Sequence, residues 1–113
     1  MQFTLLLHEA EENFFGLTEA QQMAIVEEHM AYSEALTKAG AMVSGAPLSP
    51  ASTARLVRGT SVEDGPFADT REQLGGFYVI EAASMDEAVD WAKRCPAAKT
   101  GTVEVRPVPD YGG

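Results

Sequence analysis

An α+β sandwich, with two β-α-β halves sharing one antiparallel sheet, is the fold class this sequence predicts. Three observations predict it. Apolar runs of strand length stand at 2–8 (QFTLLLH), 76–82 (GFYVIEA) and 102–108 (TVEVRPV), rich in the β-branched and aromatic residues that suit a pleated, half-buried surface. Between them lie two stretches of helical period, each opened by a Ser/Thr-x-x-Glu/Gln pattern, in which each side chain satisfies the other's orphan backbone donor. The two halves also echo each other, each reading strand, helix, strand. No repeat of solenoid period and no low-complexity segment interrupts them.

QFTLLLH is nearly continuous in apolar residues and reads as a buried strand. EAEENFFGL (9–17) reads as a loop. Thr18-x-x-Gln21 then opens a helix that runs to about Lys38 and stops at Gly40, where a residue without Cβ takes the left-handed cap. Its apolar positions Met23, Ile25, Val26, Met30, Tyr32 and Leu36 cover one broad face. AMVSGAPLSP (41–50) returns as a short strand ending in Gly/Pro punctuation. TARLVR (53–58) alternates like an edge strand with two outward arginines. Asp64-Gly65-Pro66-Phe67 makes a turn, and ADTREQL (68–74) reads as a turn of helix ended by Gly75-Gly76. GFYVIEA follows as the clearest strand. Ser84-x-x-Glu87 starts the second helix, with Ala88, Trp91, Ala92 and Cys95 along one side, and Pro96 ends it. TVEVRPV alternates like a half-exposed strand, and the tail PDYGG (109–113) is expected to be loose.

That order places both helices on one face of a single sheet, the ferredoxin-like sandwich, in one domain spanning 1–113. The other face must meet something. Phe3, Leu5, Phe77, Val79, Val103 and Val105 occupy alternating positions that suit either face, too much apolar surface to leave in water. A homodimer formed sheet to sheet covers it.

Eight Lys and Arg against 17 Asp and Glu give a formal charge of −9, a field that opposes nucleic acid and anionic lipid. The lone Cys95 forbids an internal disulfide and suits a reducing compartment. The first residues carry no basic n-region, and their apolar run is too short for a signal sequence or a spanning helix. A cytoplasmic protein without nucleic-acid or membrane partners is expected.

His29 shares a helix face with Ile25, Tyr32 and Leu36, at i−4, i+3 and i+7. A titratable imidazole there is either hydrogen-bonded core or a working base. Asp64 has two readings as well. It can cap the Asp-Gly-Pro turn by bonding backbone amides, or be held rigidly beside an imidazole as its orienting partner. Tyr32 and Tyr78 can donate phenol hydrogen bonds or simply fill the core. Arg55 and Arg58 can grip a substrate carboxylate or protect an edge. His8 and His29, far apart and without His-x-His or Cys-x-x-Cys, make no metal signature, so no metal is expected. Cys95 sits where a helix dipole disfavours a thiolate. Ser44 and Ser49 lack an elbow, and the Gly-x-Gly-x-x-Gly and P-loop patterns are absent, so no nucleotide or other cofactor is expected.

The stretch DGPFADTREQLGGFYVIEA (64–82) resembles the signature of the YCII-related family, in its DGPF-domain subgroup. MQFTLLLH, EEHMAYSEALTKAG, DEAVDWAKRCPAA and GTVEVRPV extend the resemblance over nearly all of residues 1–108. It implies a dimeric α/β-barrel built from two ferredoxin-like subunits. It also implies a small presumptive enzyme whose helix-one histidine and nearby aspartate form an acid–base pair, here His29 and Asp64. Substrate contacts are expected from Tyr32, Arg55, Pro66, Phe67, Gly76 and Tyr78. The expected function is metal-free acid–base chemistry on a small organic molecule; the alternative is a non-catalytic ligand-binding or regulatory module.

Overall fold

The computed structural model describes residues 1–111; the loose tail expected at 109–113 ends in two glycines that lie outside the described residues. The chain runs β1 (Gln2–Ala10), α1 (Glu12–Phe15), α2 (Glu19–Lys38), β2 (Met42–Pro47), β3 (Arg55–Arg58), β4 (Ser61–Asp64), β5 (Glu72–Glu81), α3 (Met85–Arg94) and β6 (Thr102–Pro107). Short 3₁₀ turns cover Ala51–Thr53 and Pro96–Lys99. Four strands form one sheet in the order β2-β5-β1-β6, every pair antiparallel. This is the ferredoxin-like arrangement, with β3 and β4 inserted as a separate two-stranded hairpin.

Alternation along the central strands sorts the two faces. Phe3, Leu5 and Leu7 are buried, and their cross-strand partners include Ile80, Tyr78, Val105 and Val103. These residues meet Tyr32 and Leu36 of α2 and Ala88 and Ala92 of α3 in one apolar cluster. Phe77 and Val79 have the opposite parity and lie on the other face, across from Leu6 and Thr4. The six alternating apolar positions are therefore split: Phe3, Leu5, Val103 and Val105 belong to the helix side. The outer face is mixed, because beside Leu6, Phe77 and Val79 it carries an ionic cluster. His8 Nε2 lies 2.9 Å from Glu104 Oε1, and Arg106 Nε donates to Glu104 Oε2 at 2.6 Å. The Arg106 hydrogen bond, then that of His8, holds the Glu104 carboxyl below the usual carboxylate range.

Helix α2 begins and ends as its sequence dictates. Gln21 N–H donates to Thr18 Oγ1 at 3.2 Å while Thr18 N–H donates to Gln21 Oε1 at 3.0 Å. At the far end Gly40 takes φ +71°, its N–H bonding Thr37 O while Ala41 N–H bonds Leu36 O, a Schellman closure. The broad apolar face is not all buried, however. Only Tyr32 and Leu36 are, while Met23, Val26 and Met30 are exposed. The second helix has half the expected box: Ser84 accepts from Glu87 N–H, but Glu87 accepts from Ala83 N–H rather than Ser84.

Three local expectations are corrected. Residues 9–17 are not all loop, since β1 continues to Ala10 and Glu12–Phe15 form a turn of α-helix. Residues 72–74 are not helical but open β5, which runs through both glycines. The register passes from Leu7↔Gly76 to His8↔Leu74, leaving Gly75 as an unpaired bulge residue. TARLVR is no edge of the main sheet, because it pairs with Ser61–Asp64 instead. No helix among the described residues is long and apolar enough to cross a membrane.

Candidate functional site

Because the first half of α2 stands away from the sheet, it roofs a cavity of about 530 Å³. The volume lies within the range of small-molecule sites. Leu7, Gly76 and Tyr78 line it from the sheet, and Ile25, Val26, His29 and Met30 from α2. Phe14 and Phe15 of α1 and Pro47 and Leu48 at the end of β2 contribute further apolar wall. Gly76 suits a close approach here: a Cβ there would come 3.0 Å from Ala46 O and 3.4 Å from Pro47 Cα, so the neighbouring backbone would have to give way. Its missing side chain lets β2 close against β5 at the edge of the cavity.

One polar contact organises the interior. His29 Nδ1 lies 2.7 Å from Tyr78 Oη, the rings nearly parallel at an interplanar angle of 15°. Both side chains are placed by the packing behind them. Tyr78 is in phase with buried Ile80 on β5 and so points towards the helices. His29 precedes Tyr32 by one helical turn, and Tyr32 is locked by its hydroxyl donating to Trp91 O at 2.6 Å. Tyr32 also meets the Tyr78 ring edge-on at 5.2 Å.

Burial lowers the His29 pKa from its ordinary value, an effect that Glu28 opposes and Lys99 adds to. Burial likewise raises that of Tyr78, against a hydrogen bond from Ser33. Near neutral pH the pair is thus a neutral imidazole and a protonated phenol. Two tautomers share the contact. With Tyr78 donating, Nδ1 accepts and Nε2 carries the ring hydrogen. With Nδ1–H donating to Oη, Nε2 is bare and basic. Proton transfer at one nitrogen is thereby coupled to the hydrogen bond at the other.

The depressed His29 pKa makes stability depend on pH. In the unfolded chain the imidazole titrates near 6.5, so at lower pH the unfolded state binds the proton more readily. The folded state should lose stability as pH falls from about 6.5 through the folded value. His29→Gln should flatten this fall in Tm between pH 7 and pH 5; a slope identical to wild type would show that the imidazole is not desolvated.

The other expected site residues are dispersed. Asp64 ends β4 with its side chain 85% exposed, and Arg55, its cross-strand partner, lies 3.3 Å away. The imidazole therefore finds its partner in Tyr78, not Asp64. The reason is that residues 61–64 pair as a strand, which carries the carboxylate into the hairpin. Arg55 is spent on Asp64 and nearby carbonyls, and Arg58 on Glu63. Phe67 is 81% exposed, and neither it nor Pro66 lines the cavity. Tyr32 stands behind Tyr78 rather than in the cavity wall. Of the expected contacts, Gly76 and Tyr78 line the cavity with His29.

The sequence reading missed Phe14, Phe15, Met42 and Gln73, all of them lining residues. Two adjacent aromatics in an otherwise polar stretch were the available signal. Cys95 is buried, its thiol pushed up to about 11 chiefly by that burial, which suits packing rather than nucleophilic attack. Among the described residues no three His, Cys, Asp or Glu side chains gather to hold a metal ion.

Comparison with known proteins gives three results. The sequence model of the YCII-related domain matches residues 1–111. An uncharacterised protein of Rhizobium meliloti is 48% identical over 77 residues, 66% of this chain and 62% of that one; the match thus spans less than two thirds of the relative's length. Among solved structures, 5-chloro-2-hydroxyhydroquinone dehydrochlorinase of Burkholderia phenoliruptrix, in complex with 2,5-dihydroxybenzoquinone, superposes with a TM-score of 0.58. It is 19% identical, and the superposition covers 96% of this chain and 94% of that one, a likeness of fold.

Proposed function

The chain belongs to the YCII-related family, and from that premise we propose that it is an enzyme that moves a proton on a small organic molecule held beneath α2. The observation that carries this reading is the 2.7 Å contact between His29 and Tyr78 inside a mainly apolar cavity. His29 takes or gives the proton at Nε2. Tyr78, bonded to Nδ1, fixes the ring and answers each change of charge by shifting its own hydrogen bond. The groups needed are the protein's own, and neither a metal nor a cofactor is invoked. The quinone bound by the structurally similar dehydrochlorinase is in keeping with a ring-sized ligand.

In this reading the Asp64–Phe67 stretch marks the DGPF subgroup, and Asp64 orders the hairpin through Arg55. Two copies join by their outer sheet faces into a dimeric α/β-barrel, with Leu6, Phe77 and Val79 at the contact. The protein works in the cytoplasm, where the free thiol of Cys95 stays reduced. A monomer in sedimentation equilibrium at micromolar concentration would remove the dimer from this account.

A thermal-shift screen of a metabolite panel tests the site. A ligand at a hundredfold excess over Kd stabilises the folded state by about 2.7 kcal/mol, so a true ligand raises the wild-type Tm. The same compound should shift His29→Ala and Tyr78→Phe less, and the wild type should convert it. Tight binding without product, unaffected by either substitution, would make the chain a ligand-binding module instead.

A further inference from the structure

We infer that the ligand of this cavity carries no negative charge: it is a ring-sized neutral molecule with a hydroxyl or carbonyl group, and carboxylates and phosphates are excluded. The inference deepens the proposed function and rests on the same cavity. Its basis is the distribution of charge. Among the described residues no Lys or Arg lines the cavity, whereas Glu9 and Glu11 do. Glu11 is fixed there by accepting the Ala51 N–H at 2.7 Å. Elsewhere the lining is almost wholly apolar, and its hydrogen-bonding pair is the uncharged His29 and Tyr78.

Seven of the eight basic residues are engaged elsewhere, and the eighth, Lys93, does not line the cavity. Lys38, Arg55, Arg58, Arg71, Lys99 and Arg106 each meet a carboxylate outside the cavity. Arg94 lies over the Trp91 ring at 4.4 Å. An anion entering the cavity would lose its water without gaining a counter-charge, and would approach two carboxylates as it did so. The net charge of −9 opposes its approach from outside as well. A neutral ring loses little water, and its one polar group finds both a donor and an acceptor in the His29–Tyr78 pair.

Benzyl alcohol and benzoate match in size and differ in charge, and their affinities for the intact chain at pH 8 can be compared by NMR titration. The His29 and Tyr78 ring resonances report binding at the site. Benzyl alcohol should bind at least tenfold more tightly than benzoate. Met30→Arg places a cation in the cavity wall at a position already 65% exposed, and should raise benzoate affinity relative to that of the alcohol, reversing or closing the wild-type gap. Equal wild-type affinities would overturn the charge class and leave the proton-transfer reading standing. Failure of Met30→Arg to admit benzoate would assign the discrimination to shape, and also overturn it. If neither compound perturbs His29 or Tyr78, the cavity is not a ligand site and both readings fall.

Discussion

His29→Ala should slow conversion of the cavity's substrate by about a hundred- to ten-thousand-fold, the contribution of a positioned acid–base group, while the chain stays folded. His29 is half-buried and its partner is the Tyr78 hydroxyl, so its removal leaves no buried charge behind. Tyr78→Phe keeps the ring that packs against Tyr32 but takes the hydroxyl from Nδ1. It should lower kcat by less than His29→Ala, and displace the pH-rate profile, because the imidazole then titrates without its partner. Asp64→Asn is the contrasting case. Its side chain is 85% exposed and is paired with Arg55, and an exposed pair of this kind contributes about 0–1 kcal/mol. Turnover in Asp64→Asn should match wild type. A loss as large as that of His29→Ala would return Asp64 to the catalytic pair and displace Tyr78 from it.

Leu36→Ala should cost about 2–5 kcal/mol of stability, the range for truncating a fully buried leucine. The helix makes this position critical. Of the twenty residues of α2, only Tyr32 and Leu36 are buried, so the element that roofs the cavity hangs from two anchors. Leu36 has no exposed surface and lies within the central cluster. Met30→Ala, two turns earlier and 65% exposed, should fall within about 0.5 kcal/mol of wild type. Urea melts of the two variants decide the matter through their midpoints at constant slope. Equal costs would mean that the exposed half of α2 is held as firmly as the buried half.

Much of this was readable in the sequence, because its local signals and its tertiary packing agree. Thr18, Gln21 and Gly40 mark both ends of α2 through backbone hydrogen bonds that form wherever those residues occur. The apolar runs of β1, β5 and β6, and their order with the two helices, pointed to the sandwich in the same way. Gly75-Gly76 misled because a glycine pair ends a helix as readily as it bulges a strand. Only the partner, β1, decides that Glu72–Leu74 are extended. The face of α2 misled for a related reason. Periodicity reports which residues share a side, not whether the sheet reaches them, and here it reaches Tyr32 and Leu36 but not Met23.

The site was half readable. His29 stood out as a polar group on an apolar face, and Tyr78 as an aromatic in the clearest strand, yet their contact joins residues 49 apart in sequence. Nothing local announces it. Asp64 drew attention through its turn residues, and the pairing of β4 with β3 then carried it to Arg55.

The hairpin has a consequence for how the molecule breathes. Among the described residues β3 and β4 pair only with each other, and Val57 and Val62, opposite one another, are largely exposed. A two-stranded ribbon that buries so little is marginally stable by itself. Its amides should therefore exchange with solvent through local opening, at a free-energy cost far below that of global unfolding. The amides of β1, hydrogen-bonded on both sides by β5 and β6, exchange only when the sheet itself comes apart. Opening of the ribbon that holds Asp64 should therefore leave paired the strands that hold Tyr78, which share no ladder with it.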